Sequence, residues 1–243
     1  LFGIGMIMVI YNYFMYRGAG DQSCLIYIGY ISTVTLAISM MNGFIFFWLP
    51  EAMAIQANAM LLMPMHFLTL GFAMRFAYTF VRIGDIYPKL KFWGQQFSNI
   101  NFAFAFVALF FYEGTIFPLY MIILTVNYLY IFVLVSLVYK SKLIWVHYYL
   151  MSWVPLLAGT YLTVSSFNGT LSYNFLTRNG SLLGVIFEIC LMAVALLDRF
   201  RATQVEREYR LNHDLATGLP NQVLLESAIK KVGAGRKPVY LMV

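Results

Sequence analysis

Leu182–Leu197 reads Leu-Leu-Gly-Val-Ile-Phe-Glu-Ile-Cys-Leu-Met-Ala-Val-Ala-Leu-Leu, and it passes directly into Asp198–Asn212, Asp-Arg-Phe-Arg-Ala-Thr-Gln-Val-Glu-Arg-Glu-Tyr-Arg-Leu-Asn. Then comes His213–Asn221, His-Asp-Leu-Ala-Thr-Gly-Leu-Pro-Asn. The first segment is apolar, the second is charged and free of Gly and Pro, and the third ends in turn formers. A helix that leaves a bilayer, continues through water and stops at a Gly/Pro turn accounts for this succession. From Leu182 to Asn212 such a helix would be about 46 Å long at ~1.5 Å per residue. Phe200, Val205, Tyr209 and Leu211 are its apolar positions in the charged part, and they make no clean heptad.

Upstream the chain is membrane-like throughout. Its 243 residues are 61% apolar, 18% aromatic and only 11% charged, against about 25% charged in a soluble domain. Six more apolar runs precede Leu182: Leu1–Tyr16, Cys24–Leu49, Ala54–Val81, Ile100–Tyr112, Pro118–Tyr139 and Ile144–Phe167. Together they predict a seven-helix transmembrane bundle over residues 1–197, an all-α fold. The fourth run is short, so its helix is expected to start nearer Phe92. Pro118 suits a helix first turn, whereas Pro64 and Pro155 fall inside runs three and six. Cys24 and Cys190 both sit in apolar runs and read as buried thiols.

The net charge of +6 is spread between the runs, which speaks for membrane topology and against a nucleic-acid partner. Alternate loops carry Arg17; Arg82, Lys89 and Lys91; Lys140 and Lys142; and Arg199 with Arg201, while the other loops carry Glu51, Glu113 and Arg178. The positive-inside rule then puts the amino end outside and the segment after Leu197 in the cytoplasm. A chain that starts at Leu1 and stops within the apolar run Val239–Val243 reads as part of a longer protein.

Beyond the turn, Gln222–Val232 reads as an amphipathic helix, with Val223, Leu224, Ile229 and Val232 apolar and Lys230 and Lys231 at its end. Gly233–Pro238 is a turn and Val239–Val243 a short strand. Helix, turn, helix, loop and strand together open an α/β domain over residues 213–243.

His213-Asp214, then Thr217-Gly218-Leu219-Pro220-Asn221, resembles the entry motif of GGDEF domains, whose pattern is His-Asp-x-Leu-Thr-Gly-Leu-Pro-Asn-Arg. Leu215, Ala216 and Gln222 depart from it. With seven helices and a helical stalk (residues 198–212) ahead of it, the chain resembles the seven-transmembrane receptors with diverse intracellular signalling modules. That resemblance implies a bacterial inner-membrane transducer with an unknown extracytoplasmic ligand. It implies a homodimer through stalk and GGDEF domain, and synthesis of cyclic di-GMP from GTP with Mg by the complete domain. A phosphodiesterase domain can follow in such proteins. The metal-binding Asp of the family is expected just past Val243, so no catalytic residue is carried onto this chain.

Two other readings compete. His213-Asp-Leu-Ala-Thr-Gly-Leu219 is similar to the phospho-acceptor motif of histidine kinases, with His213 as acceptor, but Gly218 replaces Pro and Leu219-Pro220-Asn221 breaks the helix that a kinase needs. A transporter would need intramembrane polar residues, and those are few: His66, Arg75 and Glu188, with His147 near a helix end. Glu188 and His66 are candidates for one polar cluster, but helix–helix packing is the favoured reading, with Glu188 bonding a neighbour and Arg75 reaching to the cytoplasmic headgroups. Asn42, Asn101 and Asn127 are candidates for hydrogen bonds between helices. No metal-ligand cluster, P-loop or nucleophile elbow is present.

Overall fold

The structure is a computed structural model and describes residues 1–85, 87–139, 144–214 and 217–233. The strand expected at Val239–Val243, the turn before it, Leu215, Ala216, Lys140 and Lys142 lie outside the described residues. The chain divides into two compact units, Leu1–Leu196 and Leu197–Val243.

The first unit is helical. Its long helices are α1 (Phe2–Ala19), α2 (Gln22–Met41), α3 (Glu51–Phe80), α4 (Pro88–Val107), α5 (Glu113–Val138) and α6 (Ile144–Phe167). A four-residue helix, α7 (Phe175–Arg178), precedes α8 (Gly180–Asn212), which starts in this unit. Among the described residues, α2, α3, α5, α6 and α8 are each long and apolar enough to cross a membrane. In α1 and α4 the composition is diluted, by Asn12, Tyr13, Tyr16 and Arg17 in one and by Gln95, Gln96, Asn99 and Asn101 in the other.

Several boundaries differ from the sequence expectation for local reasons. Run two extends to Leu49, but α2 stops at Met41. There the Asn42 side chain donates to the Ile38 carbonyl, and Gly43 turns left-handed at φ 73°. Phe44–Phe47 then form a 3₁₀ turn. The helix of run four starts earlier than the run itself: α4 begins at Pro88, whose fixed φ suits the first turn. Pro118 does not open α5, because the helix already starts at Glu113, an acidic residue suited to its positive end. Pro64 and Pro155 lie within unbroken helices.

α2 is the most enclosed of the five apolar helices, and α3 packs between α2 and α4. Rings lock the layers: Tyr27 of α2 against Phe76 of α3 at 5.0 Å, Phe80 of α3 against Tyr149 of α6 at 5.6 Å, and Tyr128 of α5 against Trp153 of α6 at 5.8 Å. Polar groups join neighbours as well. Ser98 of α4 donates to the Gly71 carbonyl of α3 at 2.9 Å, and the Asn127 amide of α5 donates to Asn101 of α4 at 3.2 Å. Asn42 instead serves its own helix end.

α6 and α8 meet backbone to backbone. A Cβ at Gly159 would run into the Gly180 carbonyl oxygen, and one at Gly184 would lie 2.6 Å from the Pro155 carbonyl oxygen. Small residues four apart permit this approach. The Thr163 hydroxyl adds a hydrogen bond from the Ser181 amide at 2.9 Å.

In the second unit the charged segment continues α8 to Asn212, and α9 follows at Gln222–Gly233. Among the described residues there is no strand; His213 and Pro220 form an isolated antiparallel bridge.

Candidate functional site

Along α8 the buried positions are Gly180, Gly184, Val185, Glu188, Ile189, Met192, Ala195, Leu196 and Arg199, the spacing of one helix face, while Phe187, Cys190 and Val194 are exposed. Cys190 therefore faces away from the bundle, contrary to the expectation of two buried thiols. Cys24 is buried, and among the described residues neither forms a disulfide. The same periodicity that exposes Cys190 carries Glu188 inward.

Glu188 is 5% exposed and lies among tyrosines. The Tyr30 hydroxyl lies close enough to its carboxyl group to donate to it, and Tyr27 and Tyr149 are within electrostatic range. Tyr27 and Tyr30, three residues apart on α2, are stacked at 5.8 Å and present their phenols together. The Tyr27 hydroxyl and Glu188 Oε2 find no hydrogen-bond partner among the described residues. A buried carboxyl group with three phenols from two other helices within electrostatic range is a polar node at the junction of α2, α6 and α8. Desolvated groups of this kind couple the helices they sit on, because a shift of one helix leaves costly orphans on the others.

His66 is not part of that node. Its Nδ1–H donates to the Leu62 carbonyl at 2.8 Å, and its ring stands edge-on to Tyr120 at 5.6 Å. Tyr120 and Phe67 belong to a second apolar cluster, distinct from the one that holds Tyr27, Tyr30 and Tyr149. Arg75 is exposed and lines a cavity near the end of α3. His147 packs against Tyr139 at 5.4 Å. Sequence reasoning missed the three tyrosines around Glu188. Their one signal is the i, i+3 pair Tyr27/Tyr30, hidden among 18 tyrosines.

In the second unit, every described motif residue has a structural job. Asp214 Oδ1 accepts from the Thr217 amide at 2.9 Å and from the Thr217 hydroxyl at 3.0 Å, an Asx-type turn. Gly218 takes φ 69°, open to Gly without strain. The Asp214 amide donates to the Leu219 carbonyl at 2.8 Å, closing the loop, while Pro220 pairs with His213. The His213 ring stacks on Tyr209 at 4.1 Å. Asn221 accepts from the Leu224 amide at 3.1 Å, capping α9, and its amide donates to the Leu211 carbonyl at 2.7 Å, closing off the end of α8. The stretch is a clasp between two helices. Among the described residues, no group of His, Cys, Asp and Glu is placed to hold a metal ion.

A family model described as 7TM diverse intracellular signalling matches residues 1–199. No curated protein and no solved structure matches the chain.

Proposed function

The chain belongs to the 7TM diverse intracellular signalling family, and from that premise we propose that it passes the state of a seven-helix bundle through α8 to a cytoplasmic GGDEF domain. It is a multi-pass membrane receptor for signalling. In the proposal, α1 and α4 join the five apolar helices as spans. Their outward faces carry Met6, Ile7, Phe14, Ile100 and Phe106, each more than 40% exposed, which suit lipid and not water. In this reading the amino end is outside and α9 lies in the cytoplasm of a bacterial inner membrane, which the alternation of basic loops supports.

The observation that carries the reading is the clasp. Each described motif residue, from His213 to Asn221, is used to fasten the end of α8 to the start of α9. A kinase acceptor would sit on a continuing helix. The end of α8 at Asn212, before His213, favours the GGDEF frame over the kinase frame. Output in this reading comes from two GGDEF domains brought together in a homodimer, and the GTP and Mg chemistry belongs to residues other than those of the clasp. The bundle's contribution is to set how the two stalks present those domains.

The test uses the full-length protein in membranes supplied with GTP and Mg. The expected product is cyclic di-GMP, with its basal level altered by Ala202→Pro in α8. Absence of cyclic di-GMP, together with ATP-dependent phosphorylation lost in His213→Gln, would replace this reading with the kinase. Solute flux through reconstituted protein with neither activity would replace it with a transporter.

A further inference from the structure

A cavity of about 370 Å³ opens where the start of α2, the end of α3 and the start of α4 meet. Arg75, Arg82 and Lys91 line it, together with Gln22, Gln95 and Tyr78. Three cations and several neutral donors are present, and no carboxylate is among the described lining residues. Among the described residues neither Arg75 nor Lys91 forms an ion pair. Like charges that line one cavity, two of them without an ion pair, favour an anion between them.

The backbone is shaped to gather these charges. α3 ends at Phe80, and Arg82 then takes φ 53°, the one positive φ outside glycine among the described residues. That conformation usually falls to Gly or Asn at a helix end, so an Arg is held there against its steric preference. Gly84 leaves room for the Lys91 side chain, which lies where a Cβ at position 84 would stand. Tyr78, 6% exposed, forms part of the wall.

The depth of the cavity is marked by Tyr87, Phe92 and Trp93 at the start of α4, exposed by 41%, 54% and 55%. Aromatic side chains of this kind sit at the level of lipid headgroups. Basic pockets between helices at that level recognise phosphate-bearing headgroups. We propose that the Arg75–Arg82–Lys91 cavity binds a phosphate group, supplied by an anionic phospholipid of the leaflet it faces. The site then makes the ends of α2, α3 and α4 sensitive to the anionic lipid content of the membrane. This rests on the chain's membrane placement and not on the GGDEF reading.

The experiment is a titration of the full chain with phosphatidylglycerol or phosphatidylcholine, read by native mass spectrometry. Wild-type protein should retain phosphatidylglycerol selectively. Arg75→Gln and Lys91→Gln should each weaken that retention at least fivefold, Arg75→Lys should restore most of it, and Arg17→Gln, outside the cavity, should leave it unchanged. Circular dichroism confirms that each variant keeps its helix content. Lys91→Gln, at an exposed position, carries the test if Arg75→Gln fails to fold. Inorganic phosphate is added as a second probe. Arg75-dependent binding of phosphate without selective lipid retention would keep the phosphate site and assign a soluble source. Equal retention of both lipids, or retention unchanged in Arg75→Gln and Lys91→Gln with no phosphate binding, overturns the proposal.

Discussion

The Asn221 side chain donates to Leu211 on one helix and accepts from Leu224 on the next, so one amide closes two helix ends. Asn221→Ala removes both bonds and should weaken the clasp by about 1–2 kcal/mol. Asn221→Asp keeps the cap on α9, loses the donor to α8 and should fall between. Hydrogen exchange at the Leu224 and Leu225 amides measures this, and unchanged protection in Asn221→Ala would count against the clasp. In the bundle, Tyr30 and Glu188 are the pair to break. A double-mutant cycle of Tyr30→Phe and Glu188→Met should give a coupling of about 0.5–3 kcal/mol in thermal unfolding, whereas additive effects would mean that the two do not act together. At this scale the sequence is unevenly legible. The His213–Asn221 pattern can be read because Asp, Gly, Pro and Asn each do what their own backbone chemistry demands. Tyr27, Tyr30 and Tyr149 are ordinary membrane aromatics until three helices are packed, and only then does Glu188 have neighbours. The pairing of Glu188 with His66 fails for the same reason: depth along a run says nothing about which helices are adjacent.

Helices are legible as runs, and their ends less so. An apolar run states how much chain lipid can hold, but the stop is set by a capping side chain or a left-handed residue, as at Asn42 and Gly43. α8 shows its logic plainly, with one apolar face inward and Cys190 on the other. What no run reveals is how closely α6 and α8 approach. Gly184→Ala puts a Cβ 2.6 Å from the Pro155 carbonyl oxygen, where nothing flexible yields, and should destabilise the protein by about 1–3 kcal/mol. Gly18→Ala has open space within 4 Å and should be neutral or stabilising by up to about 1 kcal/mol. Thermal unfolding of the two purified variants compares them directly. Equal behaviour would show that the α6–α8 contact is not tight.

At the level of the molecule, composition and the spacing of apolar runs already imply a helical membrane protein, because a charged fraction of 11% leaves no soluble alternative for so many apolar residues. In the proposed topology, which the alternation of basic loops supports, the inner end includes the cavity of Arg75, Arg82 and Lys91. The gathering of those three charges is not legible, since it depends on the turn at Arg82 and on the space above Gly84. In the proposed function α8 is the transmitting element: its first half holds the polar node at Glu188 and its last residue precedes the clasp. A rigid helix transmits phase. Each residue added within it rotates the attached domain by about 100°.

Insertion of one to seven alanines between Arg207 and Glu208 of the full-length protein, with basal cyclic di-GMP measured for each, tests this transmission most directly. Output should rise and fall with the helical repeat of about 3.6 residues, and the seven-residue insertion should return it near the wild-type level. Output that is flat across the series, or that declines steadily with length, contradicts a bundle that signals through α8.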